Sequence, residues 1–216
     1  TLPTTGVDSI RLAVVSCTNY QSGYFNVYRS IADRNDIDAI VHLGDFIYEY
    51  GKFGFGYDST VNRVHDPKLE TITLADYRRR HAQYRLDEDA RKMLQQYPLI
   101  AVWDDHEVAN DAWMGGADNH DPATEGDWNT RLAAAKQAYF EWMPVKKPDP
   151  TGDPGRIYRQ FKFGNLIRLD MLDTRLQGRT EQLAASSPSF NDTARTMMGL
   201  DQRQWLTDDL KSSTAK

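Results

Sequence analysis

The sequence contains almost no cysteine, and this scarcity limits how the chain can be stabilised. Cys17 is the one cysteine among 216 residues, so no disulfide can form within the chain. A single thiol also gives no indication of the redox compartment. Free cysteine usually behaves as a small buried apolar side chain. Cys17 therefore needs further support from its position before it can be given a chemical role.

Long apolar runs and an excess of positive charge are also missing. No stretch approaches the roughly 20 apolar residues that a membrane-spanning helix needs. The 26 Lys and Arg residues are outnumbered by 31 Asp and Glu residues, which gives a net charge of −5. This balance argues against a specific nucleic-acid-binding surface or an anionic membrane as the main partner. An anionic substrate would need local positive charge, which bound metal would supply.

Several common catalytic and metal-binding patterns are absent as well. No CxxC, HExxH or EF-hand spacing occurs, so the zinc-finger, zincin and EF-hand classes are excluded. The chain also lacks GxxxxGK[ST] and GxSxG, which disfavours a P-loop nucleotidase and an α/β-hydrolase.

Three apolar runs predict parallel strands, and each run ends in residues that can carry chemistry. The runs cover residues 10–15, 38–43 and 99–103, and a helix predicted within residues 24–34 joins the first two as a βαβ unit. In open α/β sheets, ligands bind at the carboxyl ends of the strands. The residues delivered to that edge are Cys17, Asp45, Asp105 and His106.

Each of these residues also has an ordinary structural explanation. A Gly-Asp pair such as Gly44 and Asp45 often forms a turn. The stretch 104–107 (DDHE) is harder to explain in this way, because neighbouring carboxylates raise one another's pKa unless a cation neutralises them. Its imidazole, on His106, could bind metal or contact a substrate. Thiolate, imidazole and carboxylate together suit a transition metal with oxygen-rich positions left for a harder ion.

The rest of the chain predicts further helices, a loop and a hairpin. A capping box at Thr73 and Asp76 begins a helix that runs to Tyr84; its Tyr77 face is expected to pack on the core and its arginines to be solvated. Residues 51–67, rich in glycine and aromatics, predict a long functional loop over the strand ends. Helices are also predicted over residues 88–97, 131–143 and 201–210, and Asn129 is expected to cap the second of these. A linker is predicted over residues 146–155 and a hairpin over residues 157–172.

Five segments taken together resemble the PhoD-type alkaline phosphatases/phosphodiesterases, which belong to the metallophosphoesterase (calcineurin-like) superfamily. They are residues 16–20 (SCTNY), 42–50 (HLGDFIYEY), 76–84 (DYRRRHAQY), 103–107 (WDDHE) and 172–175 (LDTR). The resemblance runs from about residue 10 to the end of the chain. It implies an α/β fold, a four-layer α/β/β/α sandwich, with a bimetal site that hydrolyses phosphate monoesters and diesters. It further implies Fe(III) with Ca(II), or other divalent metals, and an extracellular, periplasmic or cell-wall location.

The same resemblance suggests a role for individual residues. It implies that Cys17 and Tyr84 ligate iron, that Asp45 bridges the two metals, and that Asp105 lies on the calcium side. His106 would contact the transferred phosphoryl group or the leaving oxygen. Weaker candidates for contacting the substrate or supporting the ligands are Asn19, Tyr48, Arg80 and Asn110. The substrate would be a small phosphoester or a phosphodiester polymer.

One departure from the family pattern leaves alternatives open. The family has a further Gly-Asp-x-His segment that supplies another metal carboxylate, and nothing here matches it. We therefore expect residues 1–216 to form the N-terminal portion of one catalytic domain, with the sandwich incomplete on its C-terminal side. The chain could then be a non-catalytic or degenerate metal-binding fragment. A second alternative is a thiol hydrolase in which His106 activates Cys17 as the nucleophile.

Overall fold

A computed structural model describes residues 6–146 and 156–215. Its central feature is a parallel sheet of three strands in the order β1-β2-β3, formed by Leu12–Val15, Ala39–His42 and Leu99–Ala101. Val15 lies opposite His42, and His42 lies opposite Ala101. The three strands therefore end at the same level, as predicted. Strand β2 is buried along its whole length because it lies between the other two strands.

Six helices accompany the sheets in the described residues. They are α1 (Asn26–Ala32), α2 (Leu74–Tyr84), α3 (Glu88–Gln96), α4 (Pro122–Glu125), α5 (Trp128–Trp142) and α6 (Gly199–Ser212). Helix α1 packs against α3, and α2 packs against α5. No helix in the described ranges combines the length and the apolar character needed to cross a bilayer. The predicted α/β class is confirmed, since parallel strands alternate with helices.

The caps explain where two of the helices begin. The predicted capping box of α2 is confirmed, because the Thr73 side chain accepts from the backbone N–H of Asp76 while the Asp76 side chain accepts from that of Thr73. The prediction that Asn129 caps α5 is wrong. Helix α5 begins at Trp128, and the carboxylate of Asp127 accepts from the N–H of Thr130 at 2.9 Å. Asp127 takes the role because it lies directly before the first helical residue.

The predicted hairpin is also present. Strands β4 (Arg159–Phe163) and β5 (Ile167–Met171) pair antiparallel through a turn at Gly164, whose φ is +55°. The Arg159 guanidinium donates to the carbonyl oxygen of Ala101 at 2.7 Å and so ties the hairpin to the end of β3. The linker predicted over residues 146–155 lies outside the described residues except for Lys146. Residues 51–67, all described, contain turns but no helix or strand, as the loop prediction required.

Candidate metal centre

The backbone brings the loops that follow β1, β2 and β3 into direct contact. A side chain at Gly44 would lie 2.3 Å from the backbone nitrogen of Asp104, so only glycine permits this close approach. The loop after β1 joins the same group, because the N–H of Cys17 donates to the Gly44 carbonyl and that of Thr18 to the Asp45 carbonyl. Cys17 and Asp45 have φ values of 60° and 56°. Such values are uncommon outside glycine and often occur at functional sites.

The buried carboxylate of Glu107 fixes the path of these loops. It accepts hydrogen bonds from the backbone N–H groups of Asp45 (3.0 Å), Phe46 (2.5 Å) and Asp104 (2.8 Å). A buried carboxylate is stable when several N–H donors satisfy its oxygens. Glu107 therefore supports the backbone of the centre, and its oxygens are already occupied.

Asp45, Asp105 and His106 provide ligand atoms that all lie within 4.8 Å of one another. The thiol of Cys17 is 3.4 Å from Asp45 Oδ2, and the hydroxyl of Tyr48 donates to the same oxygen at 3.2 Å. The other carboxylate oxygen of Asp45, Oδ1, is buried and has no hydrogen-bond partner in the described part of the chain. An unpaired buried carboxylate oxygen is costly. A cation bound between these side chains would satisfy it, so the residues fit a metal ion.

The electrostatics of the centre also favour a cation. Burial raises the pKa of Asp45, and it raises the pKa of Asp105 to about 6. Burial alone would lower the pKa of His106. The hydrogen bond and charge of Glu49, with the charges of Asp105 and Asp45, outweigh this and raise the pKa to about 9. The surroundings therefore stabilise positive charge at this position.

His106 is oriented by a residue that sequence reasoning missed. Its Nδ1–H donates to Glu49 Oε2 at 2.8 Å, which leaves Nε2 as the nitrogen for a ligand or substrate oxygen. Glu49 is fully buried, and its other oxygen accepts from the backbone N–H of Asn110 at 2.7 Å and from the side chain of Asn119 at 2.9 Å. Glu49 lies within the segment 42–50 that carries the family resemblance. Its position in this segment is the feature of the sequence that could have identified Glu49 as a residue of the site.

Arg175 is a second missed residue. Its guanidinium contacts carboxylate oxygens of Asp104 (2.6 Å), Asp105 (3.3 Å) and Asp111 (3.4 Å), and the side chain is 15% exposed. It therefore compensates part of the negative charge beside the cluster. The signal in the sequence was its place just after the second strand of the predicted hairpin, in the segment 172–175.

Comparison with known proteins identifies the group to which this centre belongs. The model of the PhoD-like phosphatase family matches residues 12–216. The chain belongs to the PhoD-like phosphatase family. It is similar to alkaline phosphatase D of Bacillus subtilis (strain 168), with 38% identity over all of this chain and 37% of that protein. It is also similar to a solved structure of PhoD, with 39% identity, a TM-score of 0.87, and coverage of all of this chain and 42% of that one.

Family membership confirms the recognition made from the five segments, and the TM-score confirms the α/β fold. The chain spans 37% of the length of the curated relative that it matches. Members of the PhoD-like family depend on metal, and the cluster of Asp45, Asp105 and His106 is a candidate position for it.

The two tyrosines considered from the PhoD-like segments lie in different surroundings. The Tyr48 ring stacks on His106 with 4.1 Å between centroids, and its hydroxyl donates to Asp45. The buried hydroxyl of Tyr84 makes different contacts, one of them with the backbone N–H of Tyr48. It accepts from the backbone N–H of Tyr20 at 3.1 Å and lies 3.0 Å from Nε2 of His65. The structure therefore brings Tyr48, expected only as a supporting residue, to the cluster in place of Tyr84.

The remaining candidates contribute to the framework around the centre. The expectation that the arginines of α2 are solvated is wrong for Arg80, which is fully buried and donates to the backbone carbonyls of Tyr48, Asp66 and Pro67. It is buried because the loop before α2 folds over it. The Asn19 side chain donates to the carbonyl oxygen of Phe55 at 3.0 Å and accepts from the N–H of Gln21. The contact of Asn110 with Glu49 is made by its backbone.

The thiol-hydrolase alternative gains no support from the geometry. The Cys17 thiol contacts Asp45 Oδ2, and the hydrogen bond of His106 is made to Glu49. Partial desolvation and the charge of Asp45 raise the pKa of the Cys17 thiol. An activated cysteine nucleophile needs the opposite, which is an adjacent base and a lowered pKa.

Proposed function

We propose that this chain carries the core of a metal-dependent phosphoesterase centre, which hydrolyses phosphate monoesters, phosphate diesters or both. The observation that carries the proposal is the unpaired Oδ1 of buried Asp45 among the side chains of Cys17, Tyr48, Asp105 and His106. Membership of the PhoD-like phosphatase family and the similarity to an alkaline phosphatase D support the reaction class.

The donor set suggests which metals would be held. The thiolate of Cys17 and the phenolate of Tyr48, with Asp45, suit a transition metal such as Fe(III). Asp105 would offer oxygen to a harder ion such as Ca(II), and Asp45 could supply an oxygen to either ion. When bound, the metals would polarise the phosphoryl oxygens and lower the pKa of an attacking water.

The protein's own contribution is to position a proton and to balance charge. Glu49 holds Nδ1 of His106, so Nε2–H can donate to a non-bridging phosphoryl oxygen or to the leaving oxygen. The hydrogen bond and charge of Glu49 raise the pKa of His106 and so favour the protonated imidazole that this role needs. Arg175 neutralises Asp104 and Asp105, which reduces the repulsion that these carboxylates would exert on an anionic substrate.

Metal analysis with a turnover assay tests the proposal. The purified chain would be loaded with Fe(III) and Ca(II), analysed for both elements, and assayed with p-nitrophenyl phosphate and bis(p-nitrophenyl) phosphate. We expect bound metal, a visible charge-transfer band, and turnover that a chelator abolishes. Asp45→Asn should lose metal and turnover, whereas Asp118→Asn, at an exposed carboxylate, should lose neither.

Two results would contradict parts of the proposal. Bound metal without turnover of either ester would favour the non-catalytic metal-binding alternative. Turnover that withstands the chelator but is abolished by an alkylating agent would instead favour Cys17 as a nucleophile.

A further inference from the structure

Phe55 presents its ring to solvent beside the candidate metal centre. The residue is 63% exposed, although most aromatic rings of this size are buried in globular proteins. Its ring centroid lies 5.6 Å from that of Tyr50, 6.4 Å from that of Tyr48 and 6.5 Å from that of His106. The ring planes of Phe55 and Tyr48 differ by 15°. Phe55 is therefore the exposed end of an aromatic group that includes the imidazole of the centre.

Specific contacts hold the backbone on which Phe55 is carried. The side chain of Asn19 donates to the Phe55 carbonyl at 3.0 Å, and the hydroxyl of Ser22 donates to the Gly56 carbonyl at 3.0 Å. Gly56 has a φ of +79°, and a side chain there would lie 2.5 Å from the Asn19 amide nitrogen. The loop tip is thus fitted against the segment that follows Cys17. A fixed, exposed ring loses little conformational freedom when a ligand packs on it.

A cavity of about 540 Å³ separates this ring from the end of β1. Cys17 and Tyr48 line it on the side of the metal centre, and Val14, Tyr24 and Val27 line it with exposed apolar surface. The volume falls within the usual range of small-molecule sites. A phosphoryl group at the centre would therefore have apolar and aromatic surface within reach of its ester substituent.

We propose that Phe55 binds the organic part of the phosphoester, and that an aromatic or other planar apolar substituent is preferred over a small polar one. This inference rests on the proposed function, because the phosphoryl group must occupy the metal centre. Ring stacking on Phe55 and burial of the substituent in the cavity would provide the preference. Asn19 acts as a positioning residue, since it holds the backbone that carries the ring.

Binding of two inert phosphonates tests this preference without requiring turnover. Phenylphosphonate and methylphosphonate share the anionic group and differ in the substituent. We expect the metal-loaded chain to bind phenylphosphonate more tightly, and we expect Phe55→Ala to weaken it by roughly three- to tenfold, a factor typical of an aromatic pair. Methylphosphonate affinity should stay unchanged. Phe55→Tyr keeps a ring and should retain the preference.

Phe53 provides a matched control on the same loop. It is 59% exposed, but its ring packs edge-on against Tyr57 with Lys52 above it, and it does not line the cavity. Phe53→Ala should leave both affinities unchanged. Asn19→Ala should reduce the ratio of phenylphosphonate affinity to methylphosphonate affinity, because it releases the backbone that carries the Phe55 ring.

Three results would overturn the inference. These are equal affinity of the parent chain for the two phosphonates, an equal loss of both in Phe55→Ala, and no binding of either probe. A failure of the proposed function would give a different result from these three. Absent turnover with a phenyl preference that depends on Phe55 would refute hydrolysis and retain the binding site.

Discussion

Helix α2 and the edge where the parallel strands end both bury polar side chains, but they differ in how those groups are satisfied. On α2, the Tyr77 hydroxyl donates to the Val108 carbonyl, Tyr84 is bonded to Tyr20 and His65, and Arg80 donates to backbone carbonyls. At the strand ends, Asp45 keeps an unpaired buried carboxylate oxygen. Helix α2 also has one unpaired buried atom, Nε2 of His81, but burial lowers the pKa of this imidazole well below its usual value, so the ring is neutral.

This difference separates a supporting framework from a binding centre. A buried polar group whose partners all come from the chain contributes to stability and is unavailable to a ligand. A buried carboxylate with a raised pKa and a free oxygen is unstable until something else binds it. Substitutions in the two regions should therefore affect different properties, namely stability for α2 and metal binding or turnover for the strand ends.

The largest effect is expected for His106→Ala. Loss of the positioned imidazole should lower kcat by a factor on the order of 10³, typical for removal of a proton donor or an oxyanion contact. Metal content should change little, since Cys17, Tyr48, Asp45 and Asp105 remain. The thermal midpoint should fall, because the buried Oε2 of Glu49 loses its donor. Steady-state kinetics with parallel metal analysis measures both. Near-normal turnover in His106→Ala would remove this residue from the mechanism.

Among the substitutions in α2, Arg80→Met should have the largest effect on stability. The substitution leaves the carbonyl oxygens of Asp66 and Pro67 without their buried donor, so we expect a loss of about 3 kcal/mol in the free energy of unfolding. Urea denaturation of the metal-free chain measures this loss. Arg79→Met is the matched control, because Arg79 is exposed and its ion pair with Asp66 is worth less than about 1 kcal/mol. Equal losses in the two variants would show that burial of Arg80 is unimportant.

A pair of tyrosine variants compares the two regions directly. Tyr48→Phe should weaken metal binding by roughly 10- to 100-fold and reduce the charge-transfer band, because its hydroxyl contacts Asp45. Tyr84→Phe should cost about 1–2 kcal/mol of stability through the lost bonds to Tyr20 and His65, with metal binding unchanged. Metal titration measures the metal affinity of both variants, and urea denaturation measures their free energy of unfolding. The reverse pattern would restore Tyr84 as the iron ligand.

The sequence predicts the strand ends better than it predicts the residues around them. Cys17, Asp45 and Asp105 could be grouped because parallel strands end at one edge, a rule that needs only the order of apolar runs. The choice between Tyr48 and Tyr84 could not be made in this way. A shared helix face gives a direction but no distance to a loop. Tyr48 follows Asp45 by three residues, and the path of the loop decides where its hydroxyl lies.

Long-range contacts of loops explain the other differences. The burial of Arg80 depends on carbonyls at Tyr48, Asp66 and Pro67, and no periodic pattern marks such partners. The role of Glu49 depends in the same way on Asn119, which is 70 residues away in the sequence. The first residues of helices are easier to predict from the sequence, because a helix cap depends on residues that are close together in the chain. Even there, the predicted cap Asn129 is wrong, because Asp127 lies directly before the first helical residue.

The smallest expected effect concerns the cap of α2, which tests whether this helix acts only as framework. Thr73→Ala removes the oxygen that accepts from the Asp76 N–H at 3.3 Å and should cost about 1 kcal/mol of stability. Thr73→Ser keeps that oxygen and should remain close to the parent chain. Metal affinity should be equal in all three proteins, because Tyr77, Arg80 and Tyr84, which connect α2 to the segments around the centre, lie beyond the cap. A fall in metal affinity in Thr73→Ala at temperatures where the chain stays folded would mean that the stability of α2 is coupled to the geometry of the strand ends, and the separation of framework from centre would then fail.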